Sequence, residues 1–388
     1  MIHANAMTDI PIKPELIRWA LERSGLTAWT LLKRFPKLEM WERGDAKPTL
    51  RQLEDLAKKT FTPLGYFFLL EPPEERLPIP DFRTVRDNFA DRPSPNLLET
   101  VQMMLRRQGW MREHLIDQGE KPLVFVATAA VMDDVNSVVS KMRAVLGLSL
   151  DWARQETTWT DALRLLRMTV EKAGIMTVFN GVVGNNTHRK LDVQEFRGFV
   201  LSDDYAPLIF VNGADVKAAQ MFTLAHELAH LWLGQAGVFN LRDMQPSDSN
   251  VERFCNKAAA EFLVPEEALR EYWPEADQSD EPFQILSRHF KVSPLVAARR
   301  ALDLGFIDKP AFFQFYNAYL KDSRRKAITQ KGGGDFYNNL DMRVGRRFAE
   351  AVIRAAKEGR LLYRDAFQLT GLKGETFDKY AKSFEGRL

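Results

Sequence analysis

The chain has 388 residues, of which 45% are hydrophobic and 11% aromatic, enough to fill the cores of two or three domains and to exclude a wholly disordered protein. Its 54 basic and 52 acidic residues give a net charge of +2, so any affinity for nucleic acid must come from a local patch. A single cysteine excludes a disulfide framework and a cysteine-rich zinc module, as is typical of a reducing compartment.

The sequence has no segment typical of a membrane protein or a secreted protein. Its longest apolar stretch, residues 61–70, is far shorter than the ~18–20 residues that a membrane span requires. The N-terminus lacks the charged and then apolar layout of a signal peptide. We therefore expect a cytoplasmic protein with no membrane partner.

Residues 10–70 are predicted to form an all-α unit, because their apolar residues recur at helical spacing. Thr49 precedes the second helical run as an N-cap residue should, and Gly25 marks a turn. Residues 71–97 are rich in proline and are predicted to form an extended linker. The prolines that support this prediction are Pro72, Pro73, Pro78, Pro80, Pro93 and Pro95.

The rest of the chain is predicted to be α+β, which makes the protein multidomain, with a small-sheet domain at 98–305 and a helical C-terminal domain at 306–388. Periodicity predicts strands at 174–179, 196–202 and 207–211. It predicts helices at 97–119, 132–174 with a break near Gly147, 214–234, 250–263, 294–303, and two short ones around Gly371 in 362–384.

Basic residues in the C-terminal part raise two alternatives. Arg343, Arg346, Arg347 and Arg354 are expected along one helix, either as part of a solvated helical cap or as a surface that senses nucleic acid or a partner. The pair Arg299-Arg300 is expected on a solvated helix face.

The sharpest chemical signal is the sequence His226-Glu227-Leu228-Ala229-His230 inside an apolar helical run. Histidines four residues apart project from one face of a helix, so both imidazoles can reach a single Zn²⁺ ion, with the glutamate beside its bound water. The chain has only six histidines, which favours a zinc site over a buried histidine pair with a purely structural role.

A third ligand is expected on the next predicted helix. Glu252 and Asn256 lie four residues apart and share a helix face, so Glu252 can complete a His₂Glu site that leaves a fourth position open. Asn256 can then orient a ligating imidazole through a hydrogen bond. Glu261 is the competing ligand, although it points from a different face of the helix.

Two segments, FTLAHELAHLWLG and VERFCNKAAAEFLVP, resemble the signature of the ImmA/IrrE-type zinc metallopeptidases. That signature pairs H-E-x-x-H with a helix similar to E-x-x-A-N-x-x-A-A-x-x-L-x-P. The preceding FVLSDDYAPLIFVNGAD is similar to the family's strand pair that leads into the active-site helix. The resemblance covers about residues 125–305, and Cys255 stands where the family usually has alanine.

This resemblance implies a small-sheet zincin (gluzincin-like) domain with one Zn²⁺ per chain. His226, His230 and Glu252 map to zinc ligands, and Glu227 maps to the general base. The resemblance also implies a bacterial endopeptidase that cuts a specific repressor or antitoxin-like protein and so controls transcription or a response to stress or mobile elements.

The N-terminal unit resembles an XRE-type helix-turn-helix domain in the sequence WERG that begins at Trp41 and in the KPTL that follows. The segment before Trp41 is shorter than the usual turn and recognition helix, and it contains Pro36. DNA binding, docking of a protein and dimerisation with a regulator of the same fold all stay open for this unit. The Asp81-Phe82-Arg83-Thr84 segment resembles one that often joins such a domain to these peptidases.

Peptide hydrolysis requires further groups besides the metal ligands. A donor must stabilise the tetrahedral oxyanion, and His188, Arg197 and Tyr205 are candidates by their position in the sequence. The predicted strand 196–202 is a candidate to hold an extended substrate by strand addition.

Two other hypotheses stay open. The chain could be a DNA-binding transcriptional regulator in which the peptidase fold serves as a sensor or scaffold, although Glu227 favours catalysis because a site that only binds zinc needs no base. Alternatively, the peptidase could process its own linker at 71–97, since an exposed connector is accessible to proteolysis.

Overall fold

The structure, a computed structural model, describes residues 10–80, 92–239, 249–321 and 340–384. It is mostly helical with a small mixed sheet, in agreement with the predicted α+β class. The chain divides into two compact units, Met1–Pro78 with Thr84–Val101, and Ile79–Arg83 with Gln102–Leu388. Within the described ranges, no helix combines the length and the apolar character needed to cross a membrane.

The first unit is helical, as predicted. Its helices are α1 (Pro14–Ser24), α2 (Ala28–Leu32), α3 (Leu38–Arg43) and α4 (Leu50–Thr60), followed by a 3₁₀ helix (Leu64–Phe68). The predicted N-cap of α4 is confirmed as a capping box. The Thr49 hydroxyl accepts a hydrogen bond from the Gln52 backbone at 3.3 Å, and the Gln52 side chain accepts one from Thr49 N–H at 2.9 Å.

The core of this unit forms where the apolar faces of its helices meet. Gly25 ends α1 in the left-handed conformation, as the predicted turn requires, and α3 and α4 then pack against α1. The buried residues of this core are Ile17, Trp19, Ala20, Leu31, Phe35, Leu38, Trp41, Leu53, Leu56, Ala57 and Phe67. Part of the predicted linker 71–97, including Asp81-Phe82-Arg83-Thr84, lies outside the described residues.

Three helices precede the sheet, namely α5 (Pro95–Asp117), α6 (Val135–Leu146) and α7 (Trp159–Lys172). Helix α5 begins two residues before the predicted start at 97. The prediction of a helix over 132–174 is wrong between α6 and α7. Gly147 ends α6 with φ 65°, and the following segment buries Trp152 against Phe262 at 6.5 Å between ring centroids. The apolar residues between α6 and α7 therefore lie in a loop that packs into the core.

The strands are β1 (Met176–Asn180), β2 (Val182–Val183), β3 (Asn186–Lys190), β4 (Gly198–Leu201), β5 (Leu208–Asn212) and β6 (Gly237–Phe239). The main sheet has the order β1-β5-β4-β6, with β1 parallel to β5 and the other neighbours antiparallel, while β2 and β3 form a separate hairpin. The three predicted strands correspond to β1, β4 and β5. Strands β2, β3 and β6 were not predicted, since they are short or polar.

Strand addition to residues 196–202, as predicted, is not possible in this sheet. Strand β4 pairs with β5 on one side and with β6 on the other, so both of its edges are occupied. The register places Phe199 opposite Phe210 on β5 and opposite Val238 on β6. The available edge on this side of the sheet therefore belongs to β6.

Helix α8 (Lys217–Trp232) packs against the sheet and is buried almost throughout. Backbone N–H groups of Ala127 and Ala129 donate hydrogen bonds to the carbonyls of Leu231 and Trp232. Two carbonyl groups at the C-terminal end of this buried helix thereby gain hydrogen-bond partners. Gly234 follows with φ 67° and redirects the chain into β6.

The remaining helices of this region are α9 (Asn250–Leu263), α10 (Glu266–Ala276), α11 (Pro282–Phe290), α12 (Pro294–Asp303) and α13 (Lys309–Lys321). Helix α9 packs along α8 and α6 and contributes a buried face. The predicted helices at 250–263 and 294–303 are confirmed, and α10, α11 and α13 are additional.

The C-terminal part begins with a π-helical turn (Asp341–Gly345), followed by α14 (Arg346–Lys357), α15 (Tyr363–Thr370) and α16 (Gly374–Lys382). The two short helices around Gly371 are confirmed. Gly345 has φ 86° and separates Arg343 from α14, so the four arginines do not lie along one helix as predicted. A Cβ on Gly345 would lie 2.8 Å from the Thr177 carbonyl, so this turn packs tightly against β1.

One buried arginine fastens this C-terminal part to α5. Arg107 donates to the carbonyls of Leu369 at 3.0 Å, of Arg343 and Val344 at 3.2 Å, and of Thr370 at 3.4 Å. Burial lowers the pKa of its guanidinium to about 10, so it keeps its charge at neutral pH. The cation faces the carbonyl ends of α15 and of the π-helical turn, where a helix dipole favours positive charge.

Arg107→Ala should destabilise the C-terminal part by about 3 kcal/mol, because the substitution leaves buried carbonyls without a donor. The measurement is urea unfolding combined with hydrogen exchange of residues 346–382. Arg106→Ala is the matched control, since Arg106 is exposed on the same helix and its loss should cost less than about 0.5 kcal/mol. Equal effects of the two substitutions would contradict the role of Arg107.

Candidate metal centre

Helix α8 brings the two motif histidines together inside the protein. His226 and His230 lie one turn apart, with 4.7 Å between their ring centroids and 3.0 Å between their Nε2 atoms. Both side chains are fully buried, as is Glu227 between them. The helix therefore presents two nitrogen ligand atoms at one point, as the spacing predicts.

Helix α9 supplies the carboxylate that faces these imidazoles. Glu252 Oε2 lies 3.3 Å from His226 Nε2, and Oε1 lies 3.2 Å from His230 Nε2. Glu252 lies in the first turn of α9, whose N-cap is Ser249. The packing of α9 against α8 thus brings together the three residues that the sequence singled out.

The geometry of these three residues fits a metal ion. Each offers one ligand atom, and these atoms lie within 4.8 Å of one another. A tetrahedral zinc ion with bonds of about 2.0–2.1 Å separates its ligand atoms by about 3.3 Å, close to the distances found here. Two imidazoles and one carboxylate are also a donor set that zinc accepts. His226, His230 and Glu252 are therefore a possible metal site.

The protonation states of His230 and Glu252 suit metal binding. Burial lowers the pKa of His230 to about 4, which keeps its imidazole neutral. For Glu252, burial acts to raise the pKa, but hydrogen bonds from His226 and His230 outweigh it and the pKa falls to about 2. Neutral imidazole and ionised carboxylate are the forms that bind metals, so His230 and Glu252 are in the binding form near neutral pH.

Glu227 has a different environment from Glu252. Its carboxylate is fully buried, and within the described part of the chain neither oxygen has a hydrogen-bond partner. Burial, followed by the charge of Glu252, raises the pKa of Glu227 well above its usual value. A cation held by the neighbouring ligands would act in the opposite direction. The carboxylate thus has free lone pairs beside the ligand set.

Close contact with β4 fixes the position of Glu227. A Cβ built on Gly198 would lie 3.0 Å from Glu227 Oε1, 2.5 Å from Thr223 Cγ2 and 2.9 Å from the Phe210 carbonyl. Sequence analysis did not single out Gly198 or Thr223. The available signal was a glycine inside an apolar strand, which is typical of a close approach by another group.

Glu261, the alternative third ligand, has other partners. Its carboxylate contacts Arg300, lies 3.8 Å from Arg143 and accepts a hydrogen bond from Glu266 N–H at 3.2 Å. The expectation of a solvated Arg299-Arg300 pair is wrong for Arg300, which is buried and forms an ion pair with Glu261. Glu252 is therefore the carboxylate available to the histidines.

The structure places the other candidates of the sequence analysis as follows. His188 is exposed on β3, and Arg197 lies 3.6 Å from the carboxylate of Asp215. The ring of Tyr205 lies 5.4 Å from the guanidinium of Arg112. Asn256 is half-buried one turn after Glu252, and Cys255 is a fully buried thiol. The oxyanion donor stays unassigned among them.

Glu252→Ala and His226→Ala should each lose the bound metal, because each removes one of the converging ligand atoms. Elemental analysis of zinc-loaded protein should give about one ion per chain for the wild type and none for either variant. Glu261→Gln is the control, which should keep the metal while losing about 3–5 kcal/mol of stability, since two buried arginines lose their charge partner. Retention of metal by Glu252→Ala would contradict the ligand assignment.

Gly198→Ala should destabilise the protein by about 1–3 kcal/mol, because its Cβ overlaps Thr223 and the carbonyl of Phe210. Gly109→Ala is the matched control: it lies in α5 with no atom within 4 Å of its built Cβ, so alanine should stabilise by about 0.5–1 kcal/mol. Chemical denaturation measures both, and a neutral Gly198→Ala would contradict the tight contact.

Comparison with known families agrees with this geometry. Residues 170–302 match the family described as the IrrE N-terminal-like domain (Peptidase M78), and this range contains the buried His-His-Glu group. Residues 344–383 match a family described as a domain of unknown function (DUF8813). Comparison with curated proteins found no match. The chain thus contains an IrrE N-terminal-like domain, and the buried His-His-Glu group in that domain supports a function as a metallopeptidase.

Proposed function

We propose that the protein is a zinc-dependent endopeptidase that cleaves a specific repressor or antitoxin-like protein. The main support is the convergence of His226, His230 and Glu252, whose ligand atoms lie 3.0–3.3 Å apart in a buried site. This group lies inside the range that matches the IrrE N-terminal-like domain. The donor set supports the choice of zinc, since two imidazoles and a carboxylate are ligands that zinc accepts.

The residues have distinct roles in this proposal. His226, His230 and Glu252 would hold one zinc ion, which when bound supplies a Lewis acid that polarises a carbonyl and acidifies water. Glu227 is the general base: its carboxylate accepts a proton from the attacking water and returns it to the leaving amine. Both oxygens of Glu227 are without hydrogen bonds in the described structure, so they are available for this proton transfer.

The close packing around Glu227 supports its assignment as the base. Thr223 precedes it by one turn of α8, and the backbone of Gly198 lies against both side chains. Such close packing limits the space in which the carboxylate can move, which favours general-base catalysis. In the alternative function, a DNA-binding regulator with a peptidase fold as sensor or scaffold, nothing requires a buried carboxylate at this point.

For the substrate, we propose a regulatory protein on the basis of the resemblance to ImmA/IrrE-type peptidases. The helical N-terminal unit, proposed as a helix-turn-helix-like module, would then contribute recognition of that protein or of DNA. Its helix α3 carries the exposed ion pair of Glu39 and Arg43, 3.9 Å apart, beside the exposed Met40, so its charges largely compensate each other. We propose that this unit serves a cytoplasmic bacterial enzyme, with recognition of the substrate protein and of DNA as its two candidate roles.

Glu227→Gln should keep zinc and the fold but reduce site-specific cleavage by at least about 100-fold, since the amide accepts no proton. The measurement compares new protein N-termini in cells that express the wild type or the variant, with zinc content determined on the purified proteins. Glu271→Gln is the matched control, because Glu271 is exposed on α10, and it should cleave like the wild type.

Wild-type levels of cleavage by Glu227→Gln would contradict its role as the base. If the zinc-loaded wild type generates no new N-termini but retards DNA fragments, the alternative function as a DNA-binding regulator replaces this proposal.

A further inference from the structure

The N-terminal unit has an apolar groove between α1, α2 and α3, with a volume of about 460 Å³. Leu31 and Leu38 in its lining are fully buried. The other leucines that line it are partly buried against the core of the unit, namely Leu21, Leu26 and Leu32. Every residue of the lining belongs to the first compact unit. The volume is within the range of about 300–1,000 Å³ that is typical of sites that take ligands.

The polar part of the lining is acidic. Glu22, Glu39 and Glu42 line the groove, and among the described residues that do so there is no lysine, arginine or histidine. Glu22 lies 3.9 Å from Arg92, in a pair exposed to solvent. Glu39 lies 3.9 Å from Arg43 in a second exposed pair. Exposed ion pairs of this kind contribute little free energy, so cations of a partner can replace these arginines at little cost.

Glu42 leaves the groove with a net negative charge. Arg18 donates a hydrogen bond to the backbone carbonyl of Glu42 at 2.7 Å, but its ion pair is with Glu15, at 3.4 Å. Among the contacts of the described residues, the Glu42 carboxylate itself has no ion pair. Three carboxylates therefore face the groove with two arginines beside them.

Large apolar side chains are exposed on two of the helices that form the groove. Trp29 is 77% exposed and lies one turn before Leu32 on α2. Met40 is 44% exposed and follows Glu39 on α3. Tryptophan and methionine are enriched where proteins bind other proteins. These two side chains favour contact with a partner protein that brings apolar groups of its own.

Leucines together with carboxylates suit one kind of partner, an amphipathic helix with basic residues. Its apolar face can enter the groove, and lysine or arginine beside that face can approach the carboxylates. Nucleic acid fits less well, because its phosphates carry the same sign of charge as the glutamates. A repressor that binds DNA itself presents basic residues along helices, so a substrate of the proposed class has segments of this kind.

We propose that this groove docks a basic amphipathic helix of the protein substrate. The inference rests on the proposed function, in which a repressor or antitoxin-like protein is cleaved. It assigns the N-terminal unit to recognition of that protein and states the chemistry that it recognises: leucine-sized side chains at helical spacing, with lysine or arginine beside them.

A synthetic peptide tests the recognition directly. A peptide of about 18 residues, made of leucine, lysine and alanine with the leucines at helical spacing, is titrated into the full-length, zinc-loaded protein by calorimetry. It should bind, and added salt should weaken the binding. The same peptide with glutamate in place of lysine should bind at least about tenfold more weakly.

Substitution of the carboxylates tests the location. The groove variant combines Glu22→Gln, Glu39→Gln and Glu42→Gln, and it should bind the lysine peptide about tenfold more weakly than the wild type. The control variant replaces three glutamates of the same unit that do not line the groove, and it should bind like the wild type. Its substitutions are Glu54→Gln, Glu71→Gln and Glu74→Gln. Circular dichroism and zinc content establish that each variant keeps its fold and its metal.

A second pair of variants tests the apolar lining. Leu32→Ala removes apolar surface from the groove and should weaken binding of the lysine peptide at least about fivefold. Leu50→Ala is the matched control, because Leu50 is exposed on α4 and does not line the groove, so binding should not change.

Cleavage tests whether the partner is the substrate. In cells, the groove variant should generate the new protein N-termini of the wild type at a severalfold lower rate, while the control variant should generate them at the wild-type rate. Weaker peptide binding by the groove variant without slower cleavage overturns the assignment of the partner as the substrate.

The remaining outcomes concern the groove itself. Equal binding of the lysine and glutamate peptides, or equal loss of binding by the groove and control variants, overturns the proposed recognition. Retardation of a DNA duplex that the groove variant loses overturns it in favour of nucleic acid. If no zinc-loaded protein cleaves at all, the peptidase function fails and the assignment to a substrate fails with it, while the titrations still decide whether the groove binds a basic helix.

Discussion

The candidate site depends on the interaction of two buried imidazoles on α8 with one carboxylate on α9. Burial of an ionisable group raises the free energy of the folded state unless the group is paired or binds a metal. The two imidazoles and the carboxylate are therefore stable in the interior only when they face one another or share a metal. The carboxylate stays ionised because His226 and His230 face it, and burial keeps His230 neutral. The contact between the two helices is thus also the contact that assembles the ligand set.

A second buried cluster shows that Glu261 and Glu252, the two acidic residues of α9, have different partners. Glu261 lies between Arg143 and Arg300, and this arrangement satisfies its charge within the protein. Glu252 faces the two imidazole rings and has no arginine or lysine ion pair among the described contacts. One glutamate of the helix therefore belongs to the packing against α6 and α12, and the other is left for a ligand that carries positive charge.

Both outer strands of the sheet are covered by other parts of the chain. On one side, Gly345 brings a π-helical turn against β1, and Arg107 holds that turn through backbone carbonyls. On the other side, Val238 N–H of β6 donates a hydrogen bond to the Pro80 carbonyl. Exposed strand edges bind further strands readily. Among the described residues, the contacts that cover β1 are thus more extensive than the one hydrogen bond that reaches β6.

The sequence by itself determined the residues of the site and most of the elements that carry them. The spacing of His226 and His230 and the apolar runs of α8, α9, β1, β4 and β5 are local patterns, and local periodicity suffices to identify them. Tertiary structure decided the choice between Glu252 and Glu261, because it depends on which buried cations lie near each carboxylate. It also decided the roles of Gly198 and β6. A three-residue strand such as β6 is too short to show a recognisable sequence pattern. The need for a glycine at position 198 depends on which groups pack against it in the folded protein.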